Sequence, residues 1–115
     1  MPQNNHATGI RQEEIAARYL REQGYLILEH TYRTRTGEID LIGLDEHTLC
    51  FIEVKYRSSR ISGDPGESIT PFKQSKIRRC AMEYLQRNRY EMETPCRFDA
   101  VLIFGNEIQL IKDAF

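Results

Sequence analysis

Gly37-Glu38-Ile39-Asp40-Leu41-Ile42 and Phe51-Ile52-Glu53-Val54-Lys55 are two β-type runs separated by one cluster of turn formers, Asp45-Glu46-His47-Thr48. Strand side chains alternate faces, so Glu53 and Lys55 share one face while Ile52 and Val54 take the other. A two-residue turn at Glu46-His47 and a four-residue turn over 45–48 set the same hairpin register, in which opposed residue numbers sum to 93. Asp40 then faces Glu53, and Glu38 faces Lys55, with directly opposed Cβ atoms about 4.5–5.5 Å apart. A three- or five-residue turn with a bulge would undo that pairing.

Two carboxylates at that separation repel unless something compensates them. A divalent cation does so economically: Mg²⁺ and Mn²⁺ take carboxylate oxygens, keep several waters and suit phosphate chemistry. Lys55, one pleat beyond Glu53, would hold an attacking water or neutralise a phosphoryl oxygen. The competing reading is an outer hairpin face of exposed cross-strand pairs, each worth little. The residues alone leave both open.

Working outward, the flanking segments read as a mixed α/β domain. Thr8–Gln23 has a helical pattern that ends at Gly24, and Tyr25–His30 is a short β-type run. Residues 58–68 gather Ser, Gly, Pro and Asp and read as a loop. Thr70-Pro71 opens a second helix, with Thr as N-cap and Pro in the first turn, running to about Asn88. Arg97–Phe104 and Glu107–Lys112 flank a Gly105-Asn106 turn. The expected order is α-β-β-β-α-β-β around one sheet of about five strands. Residues 1–8 are expected to be a loose N-terminus, and 9–115 a single domain.

The first helix carries an anomaly. Ile10, Ala17 and Leu20 make an apolar stripe whose remaining position is Glu13, while Glu14 falls with Arg18 and Arg21 on the opposite side. Glu13 either snorkels out from the stripe's margin or faces the hairpin as a further metal ligand. In the second helix, Ile77, Ala81, Tyr84 and Leu85 form the apolar stripe. Arg97 and Asp99 either pair with each other or support the site.

With 16 Lys and Arg against 17 Asp and Glu, the net charge is −1, which excludes a uniformly basic nucleic-acid coat. The distribution is uneven. Residues 1–54 hold 5 basic and 9 acidic side chains, residues 55–89 hold 9 and 3, and residues 90–115 hold 2 and 5. The basic block runs from Lys55 into the second helix, and phosphate-backbone binding needs such clustering rather than a basic average. Arg57, Arg60, Lys73 and Lys76 are the candidate phosphate contacts; a solvated helix face is the alternative.

No apolar run approaches the roughly 20 residues of a membrane helix, so no membrane partner is expected. The N-terminal residues have no basic region followed by an apolar one, so a cytoplasmic location is expected. Three widely spaced cysteines and three scattered histidines argue against a disulfide framework or a zinc knuckle.

An Asp on one strand, Glu-x-Lys on the next and an upstream helical Glu together resemble the PD-(D/E)xK nuclease superfamily. The two hairpin segments, Arg97-Phe98-Asp99, Gln12-Glu13, Ala16-Ala17, Tyr19-Leu20 and Gly24-Tyr25 resemble the YraN-type family of uncharacterised bacterial proteins. The likeness runs from about Gly9 to Phe115, and that family resembles archaeal Holliday junction resolvases in fold. The resemblance implies a restriction-endonuclease-like mixed sheet with flanking helices. It further implies Asp40 and Glu53 as metal carboxylates, the Val54 carbonyl as a further ligand, Lys55 as catalytic lysine and Glu13 as the helical acid. Ile39 stands where the superfamily has Pro. The implied activity is Mg²⁺- or Mn²⁺-dependent endonucleolytic hydrolysis of phosphodiesters in DNA rather than RNA, on branched or single-stranded substrates, by a symmetric homodimer. Two other functions fit the same residues: a non-catalytic nucleic-acid-binding module and a partner-binding adaptor on a nuclease-like scaffold.

Overall fold

The computed structural model describes residues 5–57 and 69–115, with side chains from residue 9 onward. Helix α1 spans Asn5–Glu22, strands β1 to β3 span Leu26–Arg33, Glu38–Asp45 and Thr48–Arg57, helix α2 spans Pro71–Arg87, and β4 and β5 span Cys96–Phe104 and Glu107–Ile111. This is the expected element order. Arg60 and the 58–68 segment lie outside the described residues.

The five strands form one sheet in sequence order, antiparallel except for the parallel β3–β4 pair, whose connection carries α2. One helix covers each face, giving the restriction-endonuclease-like α/β arrangement. Beneath α2 pack Phe51, Leu49, Ile42, Ile77, Cys80 and Tyr84. Beneath α1 pack Ala16, Ala17, Leu20, Leu41, Cys50, Ile52 and Val101.

Local chemistry sets the element ends that matter. Gly24, at φ +99°, ends α1, and the Tyr25 N–H turns back to the Leu20 carbonyl at 2.9 Å. That reversal drops Tyr25 into the core. The Thr70 hydroxyl accepts the Lys73 N–H at 3.2 Å and Pro71 occupies the first turn, so α2 starts where expected. The β2–β3 hairpin closes on Asp45–Thr48 and continues through Leu44–Leu49 to Leu41–Ile52, the register the turn predicts.

Three details depart from the sequence reading. Helix α1 begins at Asn5 rather than Thr8, because extending a formed helix is far easier than nucleating one. Ile10 is exposed, and the buried face of α1 is Ala16, Ala17 and Leu20, whose small residues let the helix lie close on the sheet. The β2–β3 ladder stops at Leu41–Ile52, so neither the expected Asp40–Glu53 pair nor the expected Glu38–Lys55 pair forms part of it. Instead Glu38 meets Arg33 of β1 at 3.0 Å.

Candidate active site

The end of the ladder is what creates the site. Ile39 packs beneath α2 and Leu41 beneath α1, so the regular alternation of β2 breaks at Asp40. In place of a strand–strand backbone pair, the Asp40 carboxylate accepts the Val54 N–H at 2.8 Å. Asp40 thus sits where β2 and β3 part, at the wall of an open cleft of about 380 Å³. Glu13, Thr31, Glu38 and Tyr56 also line this cleft.

Glu53 lies on the α2 side and is only 5% exposed. Its Oε1 takes the Lys73 ammonium at 2.6 Å and the Lys55 ammonium at 3.5 Å. Lys73 comes from the first turn of α2, which holds no acidic residue, so it adds positive charge to the positive end of the helix dipole. A buried carboxylate opposite makes that placement tolerable.

Glu13 is held by the Thr31 hydroxyl, which donates to its Oε1 at 2.5 Å. Thr31 sits at φ +46°, a conformation that a β-branched residue adopts at a cost of about 1–3 kcal/mol. The Gln12 side-chain oxygen, one residue before Glu13 on the same cleft, is buried with no hydrogen-bond partner among the described residues.

The electrostatics follow from this packing. Burial, then Glu53, and more weakly Glu13, push the Asp40 carboxyl up to about 7 against the pull of the Val54 N–H and Lys73. Burial lowers the Lys55 ammonium from its ordinary value and Lys73 lowers it further, with Glu53 opposing. Lys73 is itself depressed by burial, but its bond to Glu53, with the Glu53 and Asp40 charges nearby, outweighs that and raises it.

The sequence-predicted residues therefore fall into three groups. Asp40, Val54 and Glu13 line the cleft at the break in the hairpin, whereas Glu53 and Lys55 lie on the α2 side of β3, outside that lining, and the Glu53 charge reaches Asp40 electrostatically. Lys73, read from the sequence as a phosphate contact, belongs with Glu53 and Lys55. Arg57 at the end of β3 is half-buried, and Lys76 is exposed with its ammonium 4.6 Å from the Phe72 ring centroid.

Among the described residues, no group of three His, Cys, Asp or Glu side chains closes a metal cage by itself. Two carboxylates with open coordination positions are what Mg²⁺ uses when water and substrate phosphate supply the remainder. Burial first, and then the acidic neighbours Glu53 and Glu13, raise the proton affinity of Asp40, and a cation beside it would offset both. The donor set fits a hard divalent cation.

A second buried polar cluster occupies the other end of the sheet. Asp99 is fully buried and accepts the Tyr25 hydroxyl at 2.9 Å, Arg97 Nε at 2.7 Å and the Asp113 N–H at 2.9 Å. Arg97 also reaches Asp45 at 2.8 Å, which in turn meets Lys112 at 3.0 Å. Arg97 and Asp99 thus pair with each other, which answers the question the sequence leaves open.

A family model described as "Uncharacterised protein family UPF0102" matches residues 12–103. The chain belongs to that family. A UPF0102 protein of Lachnoclostridium phytofermentans is 48% identical over 112 residues, covering 97% of this chain and 95% of its own. A UPF0102 protein of Chlorobium phaeobacteroides is 48% identical over 103 residues, covering 89% and 80%. One of Nitrosomonas europaea is 47% identical over 110 residues, covering 93% and 92%. UPF0102 is the family to which the YraN-type resemblance points, and the matched span includes Glu13, Asp40, Glu53, Lys55, Lys73 and Asp99.

Proposed function

We propose that this UPF0102 protein is a Mg²⁺- or Mn²⁺-dependent DNA endonuclease acting in the cytoplasm. The observation that carries this reading is the break in the β2–β3 hairpin, which leaves Asp40 bonded to the Val54 N–H next to Glu53, the carboxylate that Lys55 and, from α2, Lys73 both reach. Structural ion pairs tend to neutralise one another. Here Asp40 keeps one donor and two acidic neighbours, an arrangement that suits a site awaiting a cation.

Asp40 and Glu53 would hold the divalent ion, with the Val54 carbonyl and Glu13 as further ligands, direct or through water. When bound, the ion lowers the pKa of a coordinated water and offsets charge on the phosphoryl oxygens. Lys55 orients the attacking water by hydrogen bonding, and its lowered proton affinity eases proton exchange with that water. Thr31 fixes the Glu13 carboxylate toward the cleft. Arg57 and Lys76, with Arg60 three residues after Arg57, supply cations for the flanking phosphates. A symmetric dimer would bring two such clefts to two strands.

The test is cleavage of branched, single-stranded and duplex DNA with Mn²⁺, Mg²⁺ or EDTA. Wild type is expected to cut in either metal and not in EDTA. Asp40→Asn and Lys55→Ala are each expected to lose activity by roughly 10²-fold or more. Binding without cleavage, unaffected by Asp40→Asn, would instead identify a nucleic-acid-binding module. Absence of both binding and cleavage would leave the adaptor reading.

A further inference from the structure

Glu53 is almost fully buried, yet two ammonium groups converge on a single oxygen, Oε1. The two contacts are unequal. Lys55 stands at 3.5 Å from its own strand, whereas Lys73 makes a close 2.6 Å contact from another element. The side chain of Lys73 is also the more open of the two, 39% exposed against 21% for Lys55. Lys73 therefore has solvent-side room to move that Lys55 lacks. Its helix turn is fixed by the Thr70 cap, so a rotation about the lysine stem is enough to leave Glu53, with no backbone movement.

A carboxylate oxygen already bonded to a close ammonium is a poor ligand for a second cation. Asp40 lies near enough to sense both Glu53 and Lys73. Any cation shared by Asp40 and Glu53 would thus compete directly with Lys73. Resting on the metal-site reading above, we propose that Lys73 is the resident counter-ion of Glu53, gives up that carboxylate when a divalent ion binds, and then offers its ammonium to the substrate phosphate. The same side chain stabilises the metal-free protein and becomes a phosphate ligand in the loaded one. Metal and substrate binding are coupled through it: a phosphate drawn to Lys73 on the α2 side of β3 holds it away from Glu53 and so favours the ion, and the converse holds equally.

The experiment measures Mn²⁺ binding by calorimetry on wild type, Lys73→Met and Lys73→Arg, with thermal unfolding of each, metal-free and metal-saturated. Lys73→Met is expected to bind Mn²⁺ roughly three- to tenfold more tightly than wild type, because one competing cation is gone. Its metal-free Tm should fall while its Mn²⁺-induced rise in Tm grows, and Lys73→Arg should stay near wild type in metal affinity. A Lys73→Met affinity equal to or weaker than wild type overturns the inference while leaving the metal site intact. Wild type that binds no Mn²⁺ overturns the inference and the proposed function together. A measurement on the unaltered chain guards against a variant that fails to fold. Amine acetylation followed by mass spectrometry should speed up at Lys73 on saturation with Mn²⁺, with Lys112 at the far end of the sheet as an unchanged reference. A Lys73 rate unmoved by saturating Mn²⁺ counts against displacement.

Discussion

Asp99 and Asp40 are both acidic groups drawn out of water, on the two strands that flank β3, and they are treated in opposite ways. Asp99 has both oxygens occupied by a tyrosine hydroxyl, an arginine and a backbone N–H. Asp40 has, among the described residues, a single backbone donor, and it shares its surroundings with Glu53 and Glu13, and more weakly with Lys73. Burial is common to the two; donor supply differs. A carboxylate saturated with donors is fixed in place and holds the fold together. One that is undersupplied remains open to a proton or a cation, and that opening is what chemistry can use. The neighbours register the same contrast: burial and Asp99 raise the Tyr25 hydroxyl far above its ordinary value, consistent with a proton locked between them.

The comparison can be broken most forcefully at Asp99. Asp99→Ala strips the half-buried Arg97 and the buried Tyr25 hydroxyl of a shared partner and is expected to destabilise the protein by about 3 kcal/mol, read by urea unfolding. Metal affinity measured below the transition should not change. A loss under 1 kcal/mol would mean that the network is not the structural anchor described.

At Asp40 the expected effect is smaller and of opposite sign. Its proton is held up to about 7 in the folded protein, against an ordinary value of 3.8. The folded state therefore binds that proton more tightly than the unfolded chain does. The resulting stability is complete below pH 4 and is lost as pH rises towards 7. Asp40→Asn, which keeps an oxygen for the Val54 N–H, should remove this slope. It should exceed wild type at pH 8 by on the order of 2 kcal/mol. Parallel unfolding curves at pH 5 and pH 8 check it, and equal slopes in the two proteins would contradict the assignment.

The smallest effect belongs to the exposed Arg33–Glu38 pair, whose side chains are 61% and 50% exposed. Glu38→Gln should cost no more than about 0.5 kcal/mol, and that difference should vanish in 1 M salt. A larger, salt-resistant loss would show that this pair at the cleft rim holds the fold rather than merely decorating it.

Much of this arrangement is legible from local sequence. The turn at 45–48 fixes the β2–β3 register, and Thr70-Pro71 marks the start of α2 to the residue. Strand alternation puts Arg97 and Asp99 on one face. It cannot name Tyr25 or Asp45 as their partners, because those contacts span 74 and 52 positions of chain. Lys73 was readable as basic and helical, but its contact with Glu53 depends on where α2 lands after the crossover. Helical periodicity pointed Glu13 inward but put Ile10 with it. Periodicity does not show how far a helix overhangs the sheet, and only the Ala16, Ala17 and Leu20 end of that stripe is covered. The break at Asp40 and the left-handed turn at Thr31 leave no sequence pattern of their own.

The parallel pairing of β3 with β4 also sets an order of assembly. The β2–β3 hairpin needs only its two-residue turn to close, a microsecond event that brings Asp40 and Glu53 together early. The β3–β4 pair must wait for the chain to travel through α2, a far longer loop. Until that crossover docks, the hairpin carries its acidic charges without Lys73. The nascent hairpin thus carries these carboxylates in water, and the docking of α2 both buries Glu53 and brings the ammonium that answers it.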